Sequence, residues 1–126
     1  MCFSSHCECP GFRIERFLQP CLLLCLAIRS SHGYELMERL KHFLLEDESP
    51  DPGLVYRTLR KMEEDGWVSS EWVTETSGPA KRIYTLTGEG KTVLRLWVEH
   101  VRRQVLRLQR FLEEYEKFQR ESEHHG

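Results

Sequence analysis

The chain has 126 residues, 40% of them hydrophobic and 30% charged, which bounds it as one ordinary domain with room for a core and one additional long helix. Its formal net charge of −2 excludes a protein that is basic overall, so a polyanionic partner must be met by local placement of charge. No internal repeat, low-complexity tract or second domain is legible.

Residues 1–12, MCFSSHCECPGF, bring Cys2, His6, Cys7 and Cys9 within eight positions. Three thiolates and an imidazole match the donor set of tetrahedral zinc, and thiolates also hold iron–sulfur clusters. The spacing C-x4-C-x-C differs from the usual paired C-x2-C, and the competing reading is a disordered tail with incidental or redox-active thiols. Arg13 and Arg16 precede an apolar run over residues 21–28, the outline of an export signal. Glu8, Glu15 and Arg29 contradict that outline, and eight apolar residues are too few to cross a bilayer, so a cytoplasmic protein with reduced cysteines and no membrane partner is expected.

Residues 17–28, FLQPCLLLCLAI, are apolar nearly all round, which predicts a helix that is fully buried or shared between subunits. Pro20 is expected in its first turn or at a kink. Cys21 and Cys25, at i and i+4, read as small apolar core residues; Cys21 is the natural extra ligand if the N-terminal segment folds back. Ser31 is a candidate cap for a helix over residues 32–45 with a buried stripe of Leu36, Met37, Leu40 and Leu44. As the first helix of a helix-turn-helix pair it would cross a DNA backbone near His32, Gly33 and Tyr34, where a phosphate accepts from free amides and the Tyr34 hydroxyl. The other reading of Tyr34 is a half-buried packing residue. No Ser, Cys or acid is placed beside His32 by any catalytic motif, so the chain does not read as an enzyme. The acidic loop over residues 46–50 should point away from phosphate.

The stretch over residues 50–72, PDPGLVYRTLRKMEEDGWVSSEW, organises the rest. Asp51 is a good N-cap and Pro52 suits the first helical turn. Val55, Leu59 and Met62 recur at helical spacing as a buried stripe, leaving Gly53, Tyr56, Arg57 and Arg60 on the opposite face, with Lys61 adding charge beside them. Glu63, Glu64 and Asp65 close the helix and are expected to be held away from an anion at its N-terminal half. Gly66 ends it as a C′ residue. Residues 67–74 and 81–86 then read as two strands around the turn ETSGPA, with Lys81 and Arg82 at a narrow basic tip. Trp67, Trp72, Tyr84 and Leu86 are expected to face the core.

Helix, tight turn and hairpin is the order of a winged helix. GLVYRTLRKMEEDGWVSSEW followed by GPAKRIYTLTGEG resembles the PadR family of transcriptional regulators, and HGYELMERL resembles that family's second helix. The resemblance covers roughly residues 17–90. It implies that GPAKR is the wing tip and YTLT the return strand. Departures are mild: Met62 and Trp67 stand where the family often has leucine, and Gly88 where it often has proline.

Thr87 is a candidate cap for a last helix over residues 89–118. Leu94, Trp97 and Val101, then Val105, Leu108, Leu112 and Tyr115, make an apolar stripe too long for so small a domain to cover, which predicts a second copy. The closing residues ESEHHG read as a frayed tail. A single C-terminal helix resembles the shorter-tailed PadR subgroup.

The expected fold is mostly α with a small β-hairpin (α+β). It comprises a Cys/His-rich segment over residues 1–12, a winged helix-turn-helix DNA-binding domain over residues 13–87, and a C-terminal dimerisation helix and tail over residues 88–126. The expected function is sequence-specific binding of a pseudo-palindromic double-stranded operator by a homodimer, as a PadR-type repressor responsive to a ligand, a metal or redox state. The expected contacts are His32, Tyr34, Gly53, Tyr56, Arg57, Arg60, Lys61, Lys81 and Arg82. By resemblance, a small aromatic effector would stack on Trp97 at a dimer interface. Alternatively Cys2, His6, Cys7 and Cys9, with Cys21, form the sensor. The rival functions are a winged-helix protein–protein interaction module and a thiol-based metal- or redox-binding protein without DNA binding.

Overall fold

The computed structural model describes residues 14–74 and 78–125, with side chains for 17–74 and 78–123. The Cys2, His6, Cys7 and Cys9 reading therefore lies outside the described residues, as does much of the ETSGPA turn.

Helix α1 (Ile14–Ile28) buries Leu18, Cys21, Leu22, Leu23, Cys25 and Leu26 on several faces, but it is not fully buried, because Phe17, Leu24 and Ile28 are exposed. The helix begins upstream of the apolar run, so Pro20 lies in its interior and not in its first turn. Its C-terminal carbonyls are met from outside. Arg39 Nη2 donates to the Cys25 carbonyl at 2.6 Å and Arg39 Nη1 to the Arg29 carbonyl at 3.4 Å, a charge-assisted closure of the kind exposed helix ends need.

Ser31 is not a helix cap. It lies in β1 (Ser31–His32), is buried, and its hydroxyl accepts from Arg39 Nη1 at 2.7 Å. The cap of α2 (Gly33–Leu40) is His32, whose Nδ1 accepts from the Glu35 amide at 3.3 Å while the His32 amide donates to Glu35 Oε1 at 3.4 Å. Helix α2 ends earlier than its apolar pattern, passing into a 3-10 turn over Lys41–Phe43. Leu36 and Leu40 are fully buried, whereas Met37 within the helix and Leu44 beyond the 3-10 turn are half-buried.

Helix α3 (Pro52–Glu64) starts as its sequence demands: Asp51 Oδ1 accepts from the Gly53 amide at 3.0 Å, and Pro52 occupies the first turn. Val55, Leu59 and Met62 are buried. Gly66 takes the left-handed conformation with φ of 82°, which lets the Trp67 amide reach back to the Met62 carbonyl at 2.9 Å. Strands β2 (Val68–Val73) and β3 (Lys81–Leu86) then pair antiparallel from Val68↔Leu86 to Val73↔Lys81. The sheet has a third strand that the hairpin reading missed. β1 joins the other edge of β3 through Ser31↔Tyr84 and His32↔Ile83, giving the order β1-β3-β2.

Val68, Ser70 and Trp72 share one face of β2, opposite Leu86, Tyr84 and Arg82. Val68, Tyr84 and Leu86 are buried there, but Trp72 is 66% exposed, which corrects its expected core position. Its side is right by alternation; the hairpin outruns the core. Trp67 is half-buried, and the buried strand-opening residue is Val68.

Helix α4 (Gly88–His125) begins under Thr87, whose Oγ1 accepts from the Gly90 amide at 3.1 Å and donates to the Gly66 carbonyl at 2.7 Å. The helix runs past residue 118 to His125, so residues 121–125 are helical and not a frayed tail; no Gly or Pro interrupts residues 91–125, which are rich in Glu, Arg and Gln. The chain forms two compact units, divided between Leu94 and Arg95. The first holds the core described above. In the second, Leu96, Val105, Leu106, Leu108, Phe111, Leu112, Tyr115 and Phe118 are exposed. Among the described residues no helix is long and apolar enough to cross a membrane.

Candidate nucleic-acid interface

A concave surface of about 560 Å3 lies where the N-terminus of α2, the outer face of α3 and the hairpin meet. It brings together His32, Gly33, Tyr34, Tyr56, Arg60, Lys81 and Arg82, all expected near DNA, and adds Glu63, Trp72 and Tyr84. Gly53, Arg57 and Lys61 do not line it.

Each contribution has a local cause. His32 is held by its capping role: with Nδ1 accepting, the neutral ring carries its proton on Nε2, which faces Glu35 Oε1 at 3.3 Å. Tyr34, 70% exposed, places its ring 6.5 Å from that of His32. Gly33 lets Tyr56 approach closely, since a Cβ there would stand 2.5 Å from a Tyr56 ring carbon. Tyr56 is thereby seated between the two helices, partly exposed.

Arg57 and Arg60 are exposed on α3 and take part in no ion pair among the described residues. Lys61 pairs instead with Asp65 Oδ1 at 3.3 Å, one turn along the same helix. The Gly53 amide is already committed to Asp51, so α3 does not offer that donor to an anion. Lys81 is exposed at the hairpin. Arg82 is engaged: its Nη2 meets Glu63 Oε1 at 2.8 Å.

Glu63 thus sits on this surface, whereas the sequence reading grouped it with the acids held away. The signal was present, because 56, 60 and 63 follow the i, i+4, i+7 spacing of one helical face. Burial, the largest influence, pushes the Tyr84 hydroxyl above its ordinary pKa against the opposing pull of Arg82, which keeps it a neutral hydrogen-bonding group.

Cys21 and Cys25 are core side chains, 4% and 2% exposed. Burial, and secondarily the neighbouring Cys25, pushes the Cys21 thiol up to about 12, so it stays protonated and inert. Among the described residues no group of three or more His, Cys, Asp or Glu is placed to hold a metal ion. Trp97 lies on α4 in the second unit, half-buried, with the His100 ring edge-on at 5.7 Å.

The surface offers exposed arginines, a lysine and aromatic rings on rigid elements with one internal carboxylate. That arrangement suits a polyanion with flat or ribose-like surfaces, and it has no nucleophile–base pair. The model of the Transcriptional regulator PadR-like family matches residues 22–96. The chain is 31% identical over 77 residues to the probable transcriptional regulator Rv1176c of Mycobacterium tuberculosis, across 61% of this chain and 41% of that protein. It spans less than half the length of the curated relatives it matches. It is similar to a PadR family transcription regulator from Clostridium difficile R20291, with a TM-score of 0.68 and 25% identity over 76% of this chain and 98% of that one. Bacillus subtilis PadR, solved in complex with operator DNA, aligns with a TM-score of 0.58 and 26% identity over 66% of this chain and 47% of that one.

Proposed function

This chain belongs to the PadR-like family of transcriptional regulators, and from that premise we propose that it binds operator DNA as a homodimer and represses transcription by occupying its site. In this reading residues 13–87 are the DNA-binding domain and residues 88–126 the dimerisation helix. The observation that carries it is the outer face of α3, where Arg57 and Arg60 stand exposed next to Tyr56, in no ion pair among the described residues.

Laid in a major groove, α3 presents those two guanidiniums to guanine edges or phosphates. Tyr34 and His32 at the start of α2, and Lys81 on the hairpin, reach the flanking backbone and fix the register. The exposed apolar side chains of α4 beyond Arg95 support a second copy as their cover, because a stripe of Leu108, Phe111, Leu112 and Tyr115 left in water is unfavourable. Twofold pairing carries two α3 helices to half-sites one helical turn apart or a multiple of it, and such a regulator works on the chromosome in the cytoplasm. Regulation extends the same reading: a planar aromatic effector stacks on Trp97, which quenching of the single remaining tryptophan in a Trp67→Phe/Trp72→Phe protein would detect.

The deciding experiment selects bound genomic fragments and then measures affinity at fixed salt. Arg57→Ala and Arg60→Ala should each weaken operator binding about 5- to 150-fold, the equivalent of about 1–3 kcal/mol per base contact, with thermal midpoint unchanged. Wild-type affinity in both variants would refute the assignment of α3.

A further inference from the structure

Arg82, although partly exposed, is tied down at two of its nitrogens. Its Nε donates to Ser70 Oγ at 2.8 Å, its Nη2 donates to Glu63 Oε1 at 2.8 Å, and Ser70 Oγ donates to Glu63 Oε2 at 2.6 Å. Its guanidinium lies 5.9 Å from the Trp72 ring centroid and 5.7 Å from that of Tyr84. Trp72 is the cross-strand partner of Arg82, and Ser70 that of Tyr84, so one fork gathers both strands of the hairpin. Its far end is Glu63 in the last turns of α3. A planar fork with donors in fixed directions suits this closed triangle, whereas an ammonium on a flexible stem has no such pre-set directions.

We propose that Glu63 is a positioning residue for DNA recognition. It clamps Arg82 and Ser70, and so sets the hairpin against α3 at the spacing a groove and its flanking phosphates require. This deepens the DNA reading above and rests on it. It also reassigns Arg82 from phosphate hook to strut, and it accounts for a carboxylate on a surface otherwise suited to an anion. The hook and the strut predict opposite signs. If Arg82 must leave Glu63 to meet phosphate, removing the carboxylate strengthens binding; if Glu63 positions the hairpin, removing it weakens binding.

The test uses the full chain, the fragment selected by wild type and fixed salt. Glu63→Gln is compared with Glu64→Gln, an exposed neighbour outside the triangle, so that simple loss of negative charge is common to both. The strut predicts that Glu63→Gln binds about fivefold more weakly than Glu64→Gln, a shift of the size a partly exposed pair can impose. Arg82→Lys, which keeps charge and loses the fork, should fall with it. In DNA-free protein the amides of β2 and β3 should exchange about fivefold faster in Glu63→Gln than in wild type. The proposal is overturned if Glu63→Gln binds as tightly as Glu64→Gln, if Arg82→Lys retains wild-type affinity, or if exchange is unaltered. A wild-type chain that retains no genomic fragment overturns the DNA reading and this role together. It is distinguished from failure of the role alone, in which wild type binds and Glu63→Gln binds equally well.

Discussion

Helix α1 and the part of α4 beyond Arg95 are both rich in leucine, yet most of the α1 run is buried, with Phe17, Leu24 and Ile28 left exposed, whereas the α4 stripe lies in the open. Leu22 and Leu23 of α1 are fully buried, while Phe111 and Phe118 of α4 are 69% and 61% exposed. The difference lies in what surrounds the leucines along the chain. Residues 20–28 contain no charge, whereas residues 102–118 of α4 interleave arginines and glutamates with every turn of the stripe. An uncharged run gains most inside a core, and α1 packs Leu22, Leu23, Cys25 and Leu26 against α2, α3 and β3 while Leu24 and Ile28 remain exposed. An amphipathic helix can be made and kept in solution first, and its stripe is then available to another chain.

The largest effect should come from breaking the cover of α1. Leu22→Ala removes a fully buried side chain and is expected to destabilise the protein by about 2–5 kcal/mol, read as a lowered urea midpoint. A loss below about 1 kcal/mol would mean that α1 is not the centre of the core. Next comes the exposed stripe. Leu112→Glu should leave the near-ultraviolet circular dichroism intact and weaken self-association about 10- to 150-fold in sedimentation, from the roughly 1.5–3 kcal/mol that burying a leucine contributes. Should the variant and the wild type sediment alike, α4 is not the dimer contact.

The smallest effect sharpens the comparison through pH. The folded thiol of Cys21 sits at about 12 against an ordinary 9.0, so the unfolded chain ionises first as pH rises. The stability associated with the buried neutral thiol is complete below about pH 9 and declines through the interval up to about pH 12, by on the order of 1 kcal/mol at about pH 10. Cys25 shifts in the same direction, with burial again the leading cause. Urea midpoints at about pH 8 and about pH 10 should separate more for wild type than for Cys21→Ala, and equal separations would contradict burial of this thiol. No comparable cysteine effect belongs to α4, which contains none.

Local chemistry was readable along the chain: the Asp51–Pro52 start and Gly66 stop of α3, its Val55, Leu59 and Met62 stripe, the bounds of β3 and the Thr87 cap all follow from interactions within a few residues. So did the presence of an exposed basic face at Arg57 and Arg60. What only the tertiary structure decided involves partners far apart in sequence. Ser31 and His32 pair as a third strand with the edge of β3, and there the Ser31 hydroxyl meets Arg39 while His32 caps α2. Trp72 kept the correct side by strand alternation yet emerged into solvent, since alternation reports the face of a sheet and not how far the core extends beneath it. Glu63 met Arg82 across nineteen positions, a pairing that helical spacing could suggest as a shared face but that only the folding of the hairpin onto α3 could complete.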